Sequence, residues 1–93
     1  MWNNLFISYE INNSEVDQSK LTSAIESLGN STQLHENCWY VNSPKNASEA
    51  ADLMNRVVSE DDIVIVANTT TDSATWLNLE EKREIRLKQN WKR

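Results

Sequence analysis

Residues 38–67, CWYVNSPKNASEAADLMNRVVSEDDIVIVA, decide the fold. Cys38-Trp39-Tyr40-Val41-Asn42 is a β-branched and aromatic run and reads as a strand. Ser43-Pro44 ends it, because proline has no N–H to offer a ladder. Asn46 and Glu49 then stand at the spacing of a helix cap and its third helical residue. Ala50, Leu53, Met54, Val57 and Val58 follow at helical spacing and form one apolar face. Glu60-Asp61-Asp62 closes that helix, with acids that organise a tight turn, and Ile63 to Ala67 is another strand.

The same grammar extends outward. Leu5-Phe6-Ile7-Ser8-Tyr9 reads as a first strand, ending at Glu10 and followed by the turn-rich Ile11-Asn12-Asn13-Ser14. Leu21, Ala24, Ile25 and Leu28 lie on one face of a helix that Ser14 or Asp17 caps. Gly29, the single glycine, stands where a left-handed residue would end it. Residues 31–36 alternate weakly and form a hairpin with 38–42 around Asn37. Asn68 to Asp72 reads as a loop. From Asn78 the chain reads as helical, with Asn78 and Glu81 at capping spacing and a stripe of Leu79, Leu87 and Trp91 broken by Arg83. The order β-α-β-β-α-β plus a helix predicts an α+β, ferredoxin-like sandwich: four antiparallel strands with two helices on one face. Residues 1–76 are assigned to this domain, and 77–93 to a C-terminal basic helix packed on the domain or on its dimer partner.

A chain of 93 residues and 10.7 kDa allows one domain. It has no apolar run near the ~20 residues a membrane span needs. The first ten residues lack a basic segment followed by an apolar one, so no secretory signal is expected. One cysteine, Cys38, excludes an internal disulfide framework and a thiolate metal cluster. The expectation is a cytoplasmic, soluble protein. The net charge of −5 conceals an asymmetry: residues 1–81 carry −10 and residues 82–93 carry +5. Acids at helix starts and bases at a helix end complement helix dipoles, and a basic tail can also bind an acidic partner.

Leu5-Phe6-Ile7-Ser8-Tyr9-Glu10, Leu28-Gly29, Trp39-Tyr40-Val41, Asp61-Asp62 before Ile63 to Val66, and Ala74-Thr75-Trp76 carry a family likeness over residues 1–76. In these segments the chain resembles small bacterial SinR-like proteins, which are similar to the small CRISPR-associated adaptation endoribonucleases. The resemblance implies a ferredoxin-like dimer from a mobile-element or defence context. It also implies a strand-end acid that holds a divalent metal across the dimer, and Glu10 matches that position. Glutamate is one methylene longer than the aspartate of that family, and magnesium tolerates little geometric error. The arginines of the family's next loop are absent from residues 11–14.

These readings weigh against catalysis. The expected function is a non-catalytic, homodimeric interaction protein without cofactors, open to a further protein partner. The alternative is a magnesium- or manganese-dependent nuclease using Glu10 as catalytic and metal-binding residue from two subunits. A small-molecule-sensing regulatory module is a further alternative. His35 has no ligand-spaced acid or cysteine besides its neighbour Glu36, and Cys38 reads as a small buried apolar residue. Phosphate-cradling and dinucleotide loops are excluded by the single glycine. The acidic body opposes nucleic acid.

Both faces of every strong strand are apolar: Phe6 backs Ile7, Tyr40 backs Trp39, and Ile65 backs Val64 and Val66. Two helices cover one face, so the other needs a cover. The prediction is a two-fold dimer through the open sheet face or its edge. Phe6, Trp39, Val64 and Val66 are the expected interface, with Trp91 contributing.

Overall fold

The computed structural model describes residues 2–91. In chain order the elements are β1 (Asn3–Glu10), α1 (Gln18–Glu26), β2 (Asn30–His35), β3 (Cys38–Ser43), α2 (Ala47–Asn55), β4 (Ile63–Asn68), β5 (Ser73–Leu77) and α3 (Glu81–Asn90). The strands form one sheet in the order β2-β3-β1-β4-β5, with every neighbouring pair antiparallel. The protein is an α+β fold of five strands and three helices among the described residues.

Helices α1 and α2 pack on one face of the sheet. Leu21, Ile25 and Leu28 from the α1 side and Ala47, Ala50, Ala51 and Met54 from α2 join Leu5, Ile7, Tyr9, Trp39, Val41, Val64 and Val66 in one core cluster. Local chemistry fixes both helix starts. The Asp17 carboxylate accepts the Ser19 and Lys20 N–H groups at the head of α1, and Asn46 forms a full capping box with Glu49 on α2.

Three sequence-based expectations need correction. Residues 73–77, expected to follow a loop and precede a helix, form β5, which pairs Ser73 with Asn68 and Leu77 with Val64. The turn before it is made by Asn68, whose side-chain oxygen accepts the Thr70 and Thr71 N–H groups at 3.0 and 3.3 Å, with Asp72 at φ +56°. Gly29 does not end α1, because the C-cap is Ser27 in right-handed geometry. Gly29 is required by close approach: a Cβ there would collide with the Asn42 carbonyl oxygen of β3. Asn78 does not cap α3. It sits at φ +60° and donates its amide to the Ser59 and Asp62 carbonyls at 3.1 and 2.8 Å, and Glu80 precedes the helix without a side-chain cap bond.

Candidate functional site

Strand pairing decides which residues share the face turned away from α1 and α2. Leu5 lies opposite Val41 and Ile7 opposite both Trp39 and Val66, so these side chains go into the core together. Trp39, Val64 and Val66 were expected at an interface and are buried beneath the helices instead. Alternation within a strand predicts two faces but not which of them the helices take; the pairing partners decide that. Trp39 also has an interior partner, since its indole N–H donates to the Tyr9 hydroxyl at 3.2 Å and that hydroxyl reaches the Glu36 carbonyl at 3.4 Å.

The opposite face is built in rungs. Asn30, Asn42 and Asn4 form the first across β2, β3 and β1. Thr32, Tyr40, Phe6, Ala67 and Ala74 form the second across all five strands. His35, Cys38, Ser8, Ile65 and Trp76 form the third, after a bulge in β2 between Gln33 and His35, and Glu10 with Ile63 ends the series. Phe6 and Tyr40 meet at the centre with ring centroids 5.4 Å apart and planes inclined at 56°. The Tyr40 hydroxyl donates to Asn4 Oδ1 at 2.6 Å, which fixes its ring, and Phe6 stays 38% exposed.

Helix α3 stands over the β5 side of this face, with Arg83 at the hollow beside Glu10. Its tether is the Trp76 indole N–H, which donates to Glu84 Oε2 at 2.7 Å. Leu79 and Leu87 are half-buried, while Trp91 is 40% exposed and no α3 residue is fully buried. Of the expected interface, then, Phe6 and Trp91 are accessible. Lys92 and Arg93, part of the expected basic tail, lie outside the described residues.

Among the strand residues of this face Glu10 is the one acid. Glu26 is on α1, Glu49 and Asp52 are on α2, and Glu60, Asp61 and Asp62 occupy the α2–β4 turn. The strand residues of this face thus make an aromatic and asparagine-rich surface, which Glu84 of α3 reaches at Trp76. Tyr40, Ile63, Ile65 and Trp76 belong to that surface and were not singled out as site residues; the pairing register is the signal that finds them.

Glu10 is exposed beside an open hollow of about 340 Å³ that Ser8, Ile63, Ile65, Leu79 and Arg83 also line. Its carboxylate accepts the Asn12 amide at 3.1 Å, and the same amide donates to the Asp61 carbonyl at 2.9 Å. Asn12 therefore positions Glu10 and fastens the following loop to the α2–β4 turn. Among the described residues no three His, Cys, Asp or Glu side chains gather at metal-binding distance. A three-ligand set at Glu10 would have to draw on groups from elsewhere. His35 is exposed at the end of β2, and Cys38 is half-buried beside it.

Asp62 performs the structural task behind that loop. Fully buried, its carboxylate accepts the Asn12 and Asn13 N–H groups on one oxygen at 2.7 and 3.0 Å. The other oxygen accepts the Ser59 N–H and hydroxyl at 2.7 and 3.0 Å. Burial pushes its pKa up, but the Ser59, Asn13 and Asn12 hydrogen bonds outweigh that and hold it below the usual carboxylate value. Asp17, at the head of α1, is also lowered, chiefly by the Ser19 hydroxyl and N–H.

Comparison with protein families, curated proteins and solved structures found no match. No helix among the described residues is long and apolar enough to cross a membrane.

Proposed function

We propose that the protein is a non-catalytic, homodimeric, cytoplasmic interaction module with a ferredoxin-like sheet, of the SinR-like and CRISPR-adaptation-like type that its sequence resembles. The strand order β2-β3-β1-β4 with α1 and α2 on one face supports the ferredoxin-like assignment, with β5 as an added edge strand. The observation that carries the functional reading is the half-covered sheet face. It presents Phe6 and Tyr40 at its centre, Ile63, Ile65 and Trp76 on the side of a loosely seated α3, and a single acid among its strand residues. Apolar surface of this kind marks association rather than turnover.

Exposed Glu10, held by Asn12, favours the second reading, a magnesium- or manganese-dependent nuclease in which two subunits each supply this acid. Two measurements on the intact chain test these readings. Light scattering at micromolar concentration is expected to give twice the 10.7 kDa chain mass, and a mass of 10.7 kDa overturns the dimer. Incubation with RNA or DNA in magnesium or manganese is expected to leave the nucleic acid intact. Cleavage that Glu10→Gln abolishes in an intact dimer establishes the second reading instead.

A further inference from the structure

We propose that two copies join edge to edge through β5, around a two-fold axis at Thr75, to make one continuous ten-stranded antiparallel sheet. The inference rests on the homodimer reading above but places the contact at the sheet edge, so that the half-covered face is left for a further partner.

The two sheet edges differ. An edge strand offers unpaired N–H and C=O groups to any other strand, and natural proteins blunt such edges with charges, prolines or bulges. The β2 edge carries a bulge between Gln33 and His35. The β5 edge, Ser73-Ala74-Thr75-Trp76-Leu77, has no charge and no proline, and its register with β4 runs without a shift. In a chain that is 25% charged, five uncharged residues at a sheet edge leave that edge unguarded.

The side chains of β5 also fit a second β5. An antiparallel two-fold at Thr75 sets Trp76 opposite Ala74 of the second copy, and Leu77 opposite its Ser73. Large meets small on both faces of the sheet, and the same match repeats on the other side of the axis. The structure provides a seat for the incoming indole. Ala74, Trp76, Leu87, Lys88 and Trp91 line an open hollow of about 190 Å³ between β5 and α3. Trp76 of the second copy arrives over Ala74, at that hollow, and the exposed Trp91 ring stands beside it.

This geometry bears on Glu10. Adjacent strands are about 4.8 Å apart, and five such steps separate β1 from its counterpart, so the two Glu10 strands lie roughly 24 Å apart. Edge pairing leaves each Glu10 alone, which opposes a shared metal, and leaves both Phe6–Tyr40 surfaces uncovered on the same side of the joined sheet.

The test is light scattering on the full chain with three variants, each checked for folding by circular dichroism. Ala74→Pro removes an N–H that faces the open edge, because the Thr75 backbone bonds inward to Val66 while Ala74 and Trp76 face out. Ala74→Arg fills the indole seat with charge, and both variants are expected to convert the dimer to 10.7 kDa monomers. Phe6→Glu, two strands away on the open face, is expected to remain dimeric. Hydrogen exchange on the wild type provides a readout independent of the variants, with concentration-dependent protection expected in residues 73–77. A dimer that Phe6→Glu dissociates, that survives both folded β5 variants, or that protects residues 4–8 and 38–42 instead overturns edge pairing while the dimer stands. A wild-type mass of 10.7 kDa overturns both.

Discussion

Replacing Asp62 with asparagine preserves shape and removes one acceptor oxygen. The carboxylate accepts four hydrogen bonds, two on each oxygen, at 2.7–3.0 Å, in a site closed to water. Asparagine can keep its oxygen on Asn12 and Asn13, but its amide then points at the Ser59 N–H, donor against donor. A buried donor left unsatisfied costs about 1–3 kcal/mol, and the remaining bonds lose charge assistance worth roughly 1 kcal/mol in all. The expected loss is about 3 kcal/mol, from a total near 5–14 kcal/mol for a chain of this length. At about 4–8 °C per kcal/mol, the melting temperature falls by roughly 12–24 °C. Calorimetry at a single protein concentration reads this directly. Acid supplies the second half of the test. Because the folded pKa of Asp62 is lowered, its contribution is complete above the unfolded value near ~3.9 and is lost as pH falls through the folded value. The gap between wild type and Asp62→Asn is therefore constant from pH 7 to 5 and narrows below pH 4. A gap under about 1 kcal/mol at pH 7, or one that survives unchanged at pH 3, refutes the reasoning.

Gly29→Ala places a methyl group against the Asn42 carbonyl oxygen and should destabilise by about 2–3 kcal/mol, with amide exchange in β2 accelerating more than in β4. An unchanged urea midpoint would remove the close approach as the reason for this glycine. Truncation after Glu81 removes the Trp76–Glu84 bond and the Arg83 wall of the hollow lined by Ile63 and Ile65 but, among the described residues, takes away no fully buried side chain. The expected cost is about 1–2 kcal/mol, with a red shift of tryptophan emission as Trp76 meets water, and a loss above 4 kcal/mol would show α3 to be part of the core.

Element types were legible wherever local chemistry alone decides them. The Asn46–Glu49 box, the Asp17 cap and the apolar spacing of Leu21, Ile25 and Leu28 act within one or two turns, and the sequence carries all of that information. Long-range pairing was not legible. Trp39 went to the wrong face because its place depends on Ile7, thirty-two positions earlier. The β5 strand was missed because a short run such as Ser73–Leu77 has no pattern of its own and becomes a strand by completing the β4 ladder. At the candidate site Glu10 could be singled out, but Asn12, which orients it, and Tyr40, Ile65 and Trp76, which share its face, required the register.

The central position of β1 also bears on biosynthesis. Its two neighbours are β3 and β4, so Leu5 finds Val41 on one side and Asn68 on the other. On a ribosome the strand Asn3–Glu10 can pair with β3 once residues 38–43 are out, but its other edge stays open until residues 63–68 have cleared the exit tunnel. The central strand is therefore completed in two steps separated by the whole of α2, and the β1 edge that awaits β4 is the one the nascent sheet leaves open longest.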